Sequence, residues 1–275
     1  MTAYFYEGKR MFKPELLAPA GSMEAFEAAI CAGADAIYLG GDRFGARAYA
    51  NNFNTQELIR AISYAHLFDV KVYLTCNTLT KEKELKEVTE FIHPLYEAGL
   101  DGVIIQDLGV FLALKESFPH MELHASTQMA ITGRSGAELL KKAGASRVVP
   151  ARELTLEEIK SIKQNVDIQL ECFIHGAMCY SYSGACLFSQ ALGERSGNRG
   201  RCAGPCRLSY TSFDKEGYFL SMRDMCTLPI LPELVEARID SFKIEGRMKS
   251  PAYVYGVTGI YRKYLDLCLA NGGRG

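Results

Sequence analysis

A repeated unit constrains what this chain can fold into. The phrases AGADAIYLG from Ala32, AGLDGVIIQ from Ala98 and AGASRVVPA from Ala143 share one pattern: a helix end, a glycine turn and a buried strand. Glycine directly after a helix favours the left-handed conformation that closes its last turn. Recurrence of this unit indicates βα repeats around a parallel sheet and favours a closed barrel over an open sheet.

Alternating short aliphatic runs and amphipathic segments extend this pattern along the chain. The predicted strands are Glu15–Ala18, Ala36–Leu39, Lys71–Thr75, Gly102–Gln106, Glu122–His124, Arg147–Val149, Ile168–Phe173 and Ser241–Ile244. The predicted helices are Met23–Ala32, Gln56–Phe68, Glu82–Ala98, Gly109–Ser117, Gly136–Ala143, Leu156–Gln164 and Pro251–Ala270. Eight βα signals in 275 residues predict a single (β/α)8 TIM-type α/β barrel domain over 1–275.

One interval is much longer than a βα connection needs. Residues 174–240, between the seventh and eighth predicted strands, form a long insertion. A loop that follows a barrel strand lies on the C-terminal face, where barrel enzymes carry their active sites. The insertion is therefore the first place to look for chemistry.

A cysteine cluster lies inside this insertion, with the spacing Cys179-x6-Cys186-x15-Cys202-x3-Cys206 among glycines. Nine cysteines, an odd number, do not suit a disulfide framework in a reducing compartment. Thiolates select an iron–sulfur cluster or zinc, and the spacing differs from the C-x2-C pairs of zinc ribbons. Iron–sulfur, structural zinc and unrelated thiols remain open from the residues alone. We expect Cys172 in the seventh strand, and we expect the other cysteines to be small buried side chains, namely Cys31, Cys76, Cys226 and Cys268.

Charged residues follow several predicted strand ends and are expected at the barrel mouth. They are Arg47, Asp107, His124, Arg152, Glu153, His175, Lys243, Glu245 and Arg247. Some of them can be ion pairs of the rim alone. Arginine holds carboxylates and phosphates bidentately. An anionic ligand is therefore predicted to bind Arg47, Arg152, Arg223, Arg247 and Lys243.

The candidates for catalysis are His124, His175 and Glu245. His124 and His175 are the histidines expected at the mouth, whereas His66 and His93 are predicted to be structural residues of helices. The sequence contains no H-E-x-x-H, G-x-S-x-G or P-loop motif. A Cys–His protease remains open because His175 is close in sequence to the cysteines.

Charge and hydropathy restrict the partners and the location. With 31 basic and 32 acidic residues, the chain has no overall basic field for nucleic acid, so an RNA contact would need a local patch. The N-terminus lacks a secretory signal pattern, which predicts a cytoplasmic location. The uncharged stretch Cys172 to Gly193 is too polar for a membrane span, and no membrane contact is expected.

The cysteine segment, ECFIHGAMCYSYSGACLFSQALGERSGNRGRCAGPCRLSY, resembles the signature of the collagenase-like peptidases of family U32. Supporting phrases are PELLAPAGSMEAFEAAICAGADAIYLGG, HASTQ, ARELTLEEI and FKIEGRMKSPAYV. The resemblance spans nearly the whole chain.

The resemblance implies more than the residues do alone. Better-understood members of this family resemble RNA-modifying and quinone-pathway hydroxylation proteins that carry an iron–sulfur cluster, work without molecular oxygen and use prephenate as an implicated hydroxyl source. The implied function is hydroxylation of a base in tRNA or rRNA, with a 4Fe-4S cluster on Cys179, Cys186, Cys202 and Cys206. Prephenate, a dicarboxylate, fits the predicted arginine-lined mouth. The alternatives are a peptidase of unassigned type and a non-catalytic, zinc-stabilised subunit.

RNA-modifying relatives usually continue beyond the barrel. The resemblance therefore implies a C-terminal region that these 275 residues do not include. We accordingly expect RNA to bind through a local patch or a partner subunit.

Overall fold

Eight parallel strands close into a barrel in the computed structural model, which describes residues 5–6, 9–10, 12–46 and 52–272. The barrel strands are β3 (Glu15–Pro19), β4 (Ala36–Gly40), β5 (Lys71–Cys76), β6 (Gly102–Ile105), β7 (Glu122–Ala125), β8 (Arg147–Val148), β9 (Gln169–Gly176) and β13 (Ser241–Ile244). They pair in this order, and β13 closes the barrel by pairing with both β9 and β3. The predicted (β/α)8 barrel is confirmed. A short antiparallel pair, β1 (Phe5–Tyr6) and β2 (Lys9–Arg10), precedes it.

Helices cover the outside of the barrel, except the short helix Phe188–Gly193, which lies on the insertion. Their bounds are α1 (Met23–Cys31), α2 (Thr55–His66), α3 (Glu82–Glu97), α4 (Leu108–Ser117), α5 (Arg134–Ala143), α6 (Leu156–Asn165), α7 (Phe188–Gly193), α8 (Leu231–Glu236) and α9 (Pro251–Ala270). Thr155 caps α6 in a capping box with Glu158, as its sequence predicts. The three repeat glycines, Gly33, Gly99 and Gly144, have φ values of 85°, 90° and 100°. None of the helices in the described ranges is long and apolar enough to cross a membrane.

Successive residues of each strand alternate between the helix layer and the barrel interior. Outward residues such as Ile37, Leu74 and Val103 are buried in the main apolar core against the helices. The interior contains a small apolar cluster around Tyr38 and Tyr73. It also contains buried charged side chains, which form the floor of the candidate site.

The long insertion has its own short elements. After β9 come α7, a hairpin of β10 (Tyr210–Ser212) and β11 (Lys215–Gly217), then β12 (Met225–Cys226) and α8. Short 3-10 turns cover Thr127–Met129, Pro205–Arg207 and Leu228–Ile230. Strand β9 runs to Gly176, three residues beyond its predicted end, because Met225 and Cys226 pair antiparallel with Gly176 and His175. The excursion from the barrel therefore begins after Gly176 rather than at residue 174.

Candidate active site

A cavity of about 50 Å³ opens at the carboxyl ends of the barrel strands. Its walls come from five strands, β4, β5, β6, β9 and β13, and from the loops after β5, β7, β8 and β13, so distant parts of the sequence meet there. It is lined by Tyr38, Thr75, Asn77, Ile104, Ser126, Thr127, Gln128, Arg152, Phe173, Lys243, Glu245 and Arg247. The prediction that Arg152, Lys243, Glu245 and Arg247 reach the mouth is confirmed, and we call this space the mouth cavity.

Arg152 lies between an anion and an aromatic ring. One of its terminal nitrogens is 3.2 Å from a carboxylate oxygen of Glu245, and its guanidinium carbon lies 4.0 Å from the centre of the Phe173 ring. Its Nε is buried and makes no hydrogen bond within the described part of the chain. Because an unpaired buried donor is costly, this nitrogen is suited to donate to a bound anion.

Arg247 is held against β5 and is only 5% exposed. Its Nη1 donates to the Thr75 hydroxyl at 3.0 Å, and that hydroxyl donates to the Leu39 carbonyl at 3.0 Å. A Cβ on Gly40 would lie 2.1 Å from Nη1, so glycine is required at this position for the guanidinium to fit. Packing thus directs the cation to the mouth cavity.

Lys243 forms part of the cavity floor. Its Nζ is 2.6 Å from Glu171 and 4.3 Å from the centre of the Tyr38 ring. Burial lowers the pKa of Lys243, and the neighbouring carboxylate of Glu171 opposes that change. The ammonium is therefore fixed in place on an aromatic face by a buried anion.

A deeper charged layer supports this floor. Arg147 is 3.1 Å from Glu171 and 2.6 Å from Glu15, and Glu15 accepts hydrogen bonds from Tyr73 at 2.7 Å and Ser241 at 2.8 Å. Burial would raise the pKa of Glu171, but the charges of Lys243 and Arg147 outweigh it and hold that pKa at about 2. The charged floor is a network in which each cation has an anionic partner.

His124 is not at the mouth, and that prediction was wrong. It is the third residue of the short β7, so its ring points into the fully buried interior, where Nε2 is 3.1 Å from Glu122 at the start of the same strand. Burial lowers its pKa, the cation of Arg147 lowers it further, and the neighbouring carboxylates oppose the change. Its ring also contacts that of Tyr73, edge to face, with centroids 4.6 Å apart.

His175 does not line the mouth cavity either. A register shift between β9 and β13 at this position accompanies contacts of its ring with Tyr253 and Tyr261 of α9. The Tyr261 hydroxyl is 3.4 Å from Nδ1. Burial lowers the pKa of His175, opposed by Asp224. His175 thus packs against the outer helix rather than facing a ligand.

Of the predicted mouth arginines, Arg223 is not among the described lining residues, and Arg47 has no described position. Arg223 is exposed in the insertion, so its expected place at the mouth is wrong. Arg47 lies outside the described residues. Asp107 is the N-cap of α4, where one carboxylate oxygen accepts from the Val110 amide. Glu153 accepts a hydrogen bond from the Ser183 amide at 3.2 Å and so holds the insertion.

The four clustered cysteines all lie on the insertion, where Cys206 is near Cys179 and Cys202. Cys179, Cys186 and Cys202 are exposed, and Cys206 is half-buried. Burial raises the pKa of Cys206, and the nearby thiols of Cys179 and Cys202 raise it further, against Arg207. A Cβ built on Gly197 would lie 3.7 Å from the Cys202 Cβ and 3.9 Å from the Cys186 carbonyl oxygen, so Gly197 lies between these two cysteines. The Gly204 amide donates a hydrogen bond to the Cys202 sulfur at 3.3 Å.

The other cysteines divide into two groups. Cys172 lies in β9 as predicted, and Cys76 and Cys268 are buried. Cys31 and Cys226 are exposed, so their predicted burial is wrong: Cys31 ends α1 on its solvent side, and Cys226 lies on the short β12 at the sheet edge.

The cysteine segment is attached to the barrel rim beside the mouth cavity. Asn198 donates to the Gln106 side chain at 2.5 Å and accepts from the Leu79 amide at 2.9 Å. Arg199 is 2.6 Å from Glu84, and this hydrogen bond lowers the Glu84 pKa to about 2. A Cβ on Gly184, which has φ +81°, would lie 2.3 Å from the Gln128 carbonyl. The insertion therefore contacts the rim through specific polar and close backbone contacts.

Sequence reasoning identified Lys243 but missed its partner Glu171, the deeper pair of Arg147 and Glu15, and the amide side chains at the rim, namely Asn77, Gln106, Gln128 and Asn198. The available signal was the presence of ionisable residues inside apolar strands, as in Glu171 of LECFI and Lys243 of SFKI. A charge inside such a strand requires a buried partner. The partner of Glu171 could not be identified before the barrel was closed.

Comparisons with known proteins agree with this architecture. The model of peptidase family U32 matches residues 21–274. The tRNA hydroxylation protein P1 of Bacillus subtilis (strain 168) is 36% identical over 279 residues, covering 96% of this chain and 66% of that protein. The 23S rRNA 5-hydroxycytidine C2501 synthase of Escherichia coli (strain K12) is 41% identical over 266 residues, covering 94% of this chain and 40% of that protein.

A third curated relative and a solved structure complete the comparison. The collagenase of Porphyromonas gingivalis (strain ATCC BAA-308 / W83) is 34% identical over 275 residues, covering 92% of this chain and 65% of that protein. This chain thus spans two thirds or less of these three relatives. The structure of the U32 peptidase Mk0906 aligns with a TM-score of 0.60 at 14% identity, over 90% of this chain and 98% of that one, which shows the shared fold. The family match over nearly the whole chain, together with these relatives, establishes that the chain belongs to peptidase family U32.

Proposed function

We propose that this chain is the catalytic barrel of an RNA hydroxylase that works without molecular oxygen. Its 4Fe-4S cluster would be held by Cys179, Cys186, Cys202 and Cys206, and a small dicarboxylate such as prephenate, the possible hydroxyl source, would bind in the mouth cavity. The observation that carries the proposal is that a cation-lined cavity adjoins the rim contacts of the cysteine segment. The names of two relatives, a tRNA hydroxylation protein and an rRNA 5-hydroxycytidine synthase, support RNA as substrate.

The charges of the mouth cavity support a dianionic ligand. Arg152, Lys243 and Arg247 contribute three cations to its wall, and Glu245 contributes one anion, paired with Arg152. The carboxylate of Glu171, beneath the cavity floor, offsets part of the positive charge of Lys243. A ligand with two carboxylates could meet Arg247 and the unpaired Nε of Arg152 by charge-assisted hydrogen bonds.

The donor set suits an iron–sulfur cluster better than a single zinc ion. Four sulfurs around one zinc ion lie about 3.8 Å apart, given tetrahedral bonds of about 2.3 Å. The cysteine spacing, x6, x15 and x3, differs from the C-x2-C pairs of zinc ribbons. A cluster accepts more widely spaced thiolates, and the Gly204 N–H directed at the Cys202 sulfur is the kind of contact that tunes cluster potential. A cluster held there would supply electron transfer or a substrate-binding centre.

The peptidase alternative has the name of the Porphyromonas relative in its favour. Peptidases of the Ser–His or Cys–His type need a nucleophile and a base within hydrogen-bond reach. The described residues that line the mouth cavity include neither histidine nor cysteine, and His175 contacts tyrosines of α9. This arrangement favours anion binding over acyl transfer. A non-catalytic zinc-stabilised subunit is disfavoured by the cysteine spacing.

The experiment compares two single-cysteine variants of anaerobically purified protein. Iron and sulfide are measured, and hydroxylated nucleosides in tRNA and rRNA are quantified by mass spectrometry with and without prephenate. Cys202→Ser is expected to lose the visible absorption of the cluster and the RNA hydroxylation, while its far-ultraviolet circular dichroism is retained because the cysteines lie on an insertion. Cys31→Ser, an exposed cysteine at the end of α1, is the matched control and should keep both.

Casein cleavage is measured in the same samples. Proteolysis that persists in the cluster-free variant, with no RNA hydroxylation in any sample, would replace the proposal by the peptidase alternative. Stoichiometric zinc without sulfide in the anaerobic protein would replace it by the zinc-stabilised subunit.

A further inference from the structure

The tip of the insertion hairpin carries an aromatic side chain that neither packing nor backbone preference explains. Strands β10 and β11 pair up to Ser212 and Lys215, which leaves Phe213 and Asp214 as a two-residue turn. Phe213 is 98% exposed, so its ring gains nothing from burial. Both turn residues have positive φ, +47° for Phe213 and +61° for Asp214.

This turn geometry is unfavourable for phenylalanine. Two central residues with positive φ are typical of type I′ turns, in which asparagine, aspartate and glycine predominate. Asp214 fits that preference, whereas a bulky residue in the left-handed region is an outlier. Because strained positions often mark functional sites, an exposed and strained Phe213 points to a contact outside this chain.

The hairpin is anchored to the cysteine segment. The Tyr210 hydroxyl donates to the Pro205 carbonyl at 2.8 Å, and its ring stacks on Phe188 at 6.4 Å with an interplanar angle of 25°. Ser209 donates to Glu216 across the hairpin at 3.1 Å. The tip is therefore presented from the same segment that carries Cys202 and Cys206.

The surrounding segment is basic, unlike the rest of the chain. Residues 195–223 contain six lysines and arginines against two acids, a net charge of +4, whereas the whole chain carries −1. Three of the six are engaged: Arg199 with Glu84, Arg207 with backbone carbonyls of the insertion, and Arg195 with the Arg201 carbonyl. The side chains of Arg201, Lys215 and Arg223 are exposed. Tyr218 and Phe219 are exposed beside the hairpin as well.

We infer that this hairpin is a contact site for single-stranded RNA, in which Phe213 stacks on an unpaired base and neighbouring cations such as Lys215 contact phosphates. Isolated aromatic rings among basic residues are the pattern by which proteins bind single strands, because every base has a stacking face. An apolar protein partner would be expected to meet an apolar patch with few charges, whereas Phe213, Tyr218 and Phe219 lie in a segment of net charge +4. The choice of RNA rests on the proposed function, which it deepens by naming the surface and the single-stranded form of the substrate.

The test measures the affinity of the full chain for a short labelled oligouridine by fluorescence anisotropy. Phe213→Ala and Phe213→Leu should each weaken binding roughly five- to a hundredfold, since base stacking is lost in both, while Phe213→Tyr keeps the affinity. Phe213→Asn should weaken binding equally without lowering the thermal midpoint, because asparagine accepts positive φ. Lys215→Ala should reduce the slope of log affinity against log salt by about 0.7.

Leu67→Ala is the control for loss of an exposed apolar side chain. Leu67 is 78% exposed at the end of α2, on the opposite end of the barrel from the mouth, and its variant should bind as the parent does. Equal binding by parent, Phe213→Ala and Phe213→Leu would overturn the inference. So would retained affinity in Phe213→Leu alone, which would indicate apolar docking of a protein.

Hydroxylation of RNA, measured separately, distinguishes the two proposals. If RNA is hydroxylated but substitution of Phe213 does not change the affinity for oligouridine, the hairpin contact is refuted and the proposed function stands. Phe213-dependent binding without any hydroxylation by the iron-loaded protein supports the contact and counts against the proposed function.

Discussion

Replacing Glu171 by glutamine tests whether the charged floor of the barrel stabilises the fold as an ionised network. Glu171 is fully buried and is paired with Lys243 at 2.6 Å and Arg147 at 3.1 Å. Glutamine keeps the shape and removes the charge, which leaves Lys243 without its anion. Arg147 retains Glu15.

Two estimates of the destabilisation agree. Removal of one partner of a buried ion pair costs about 3–5 kcal/mol. A pKa held at about 2 instead of 4.5 corresponds to about 3 kcal/mol of stabilisation by the ionised form. We therefore expect the free energy of unfolding at neutral pH to fall by about 3–5 kcal/mol.

The stabilisation by Glu171 should decrease as the pH falls. Because the folded-state pKa of Glu171 is depressed, its contribution is complete above the unfolded pKa of about 4.5 and is lost as the pH falls through about 2. The difference between parent and Glu171→Gln should therefore shrink by about 2 kcal/mol between pH 6 and pH 3. The other acids with lowered pKa values, Glu24, Glu84, Glu122 and Glu138, are present in both proteins and cancel in the difference.

Urea denaturation followed by circular dichroism at several pH values measures this difference. Glu90→Gln, which removes an exposed carboxylate 3.6 Å from Lys86, is the control and should leave the unfolding free energy unchanged. The double variant Glu171→Gln, Lys243→Met should recover part of the loss, because it removes the unpaired ammonium. A loss below about 1 kcal/mol in Glu171→Gln, constant with pH, would refute the network as described.

Two further predictions concern the mouth cavity and the insertion. Arg247→Ala should weaken prephenate binding, measured by calorimetry, roughly ten- to a hundredfold, since about 1.5–3 kcal/mol is lost per charge-assisted hydrogen bond. The control Arg223→Ala, whose side chain is outside the described cavity wall, should bind prephenate as the parent does. Equal binding by the two variants would show that Arg247 does not contact the ligand. Gly184→Ala should cost at least about 1 kcal/mol from its positive φ and should speed limited proteolysis of the insertion. Gly193→Ala, where a Cβ meets open space, should not, and equal cleavage of both would contradict the close contact with Gln128.

Local sequence determined the barrel and its polarity. The three repeats and the alternation of apolar runs with amphipathic segments predicted all eight barrel strands, the six helices α1 to α6 and the final helix α9 within a few residues, because turn glycines and apolar periodicity act over short distances. Position after a strand end also placed Arg152, Glu245 and Arg247 correctly, since loops after parallel strands converge at one face of a barrel. The cysteine spacing identified the segment that carries the thiols.

Tertiary structure alone decided which side chains share a cavity. His124 and Lys243 are each the third residue of a four-residue barrel strand with an inward side chain. Lys243 reaches the mouth cavity, whereas His124 lies deep in the interior beside Glu122. His175 contacts Tyr253 and Tyr261 at a register shift between β9 and β13, which the residue pattern does not predict. Whether an inward side chain ends at the floor or the mouth depends on strand stagger and barrel closure. Pairing between residues as distant as Glu171 and Lys243 exists only once β13 closes the ring, so no local signal could predict it.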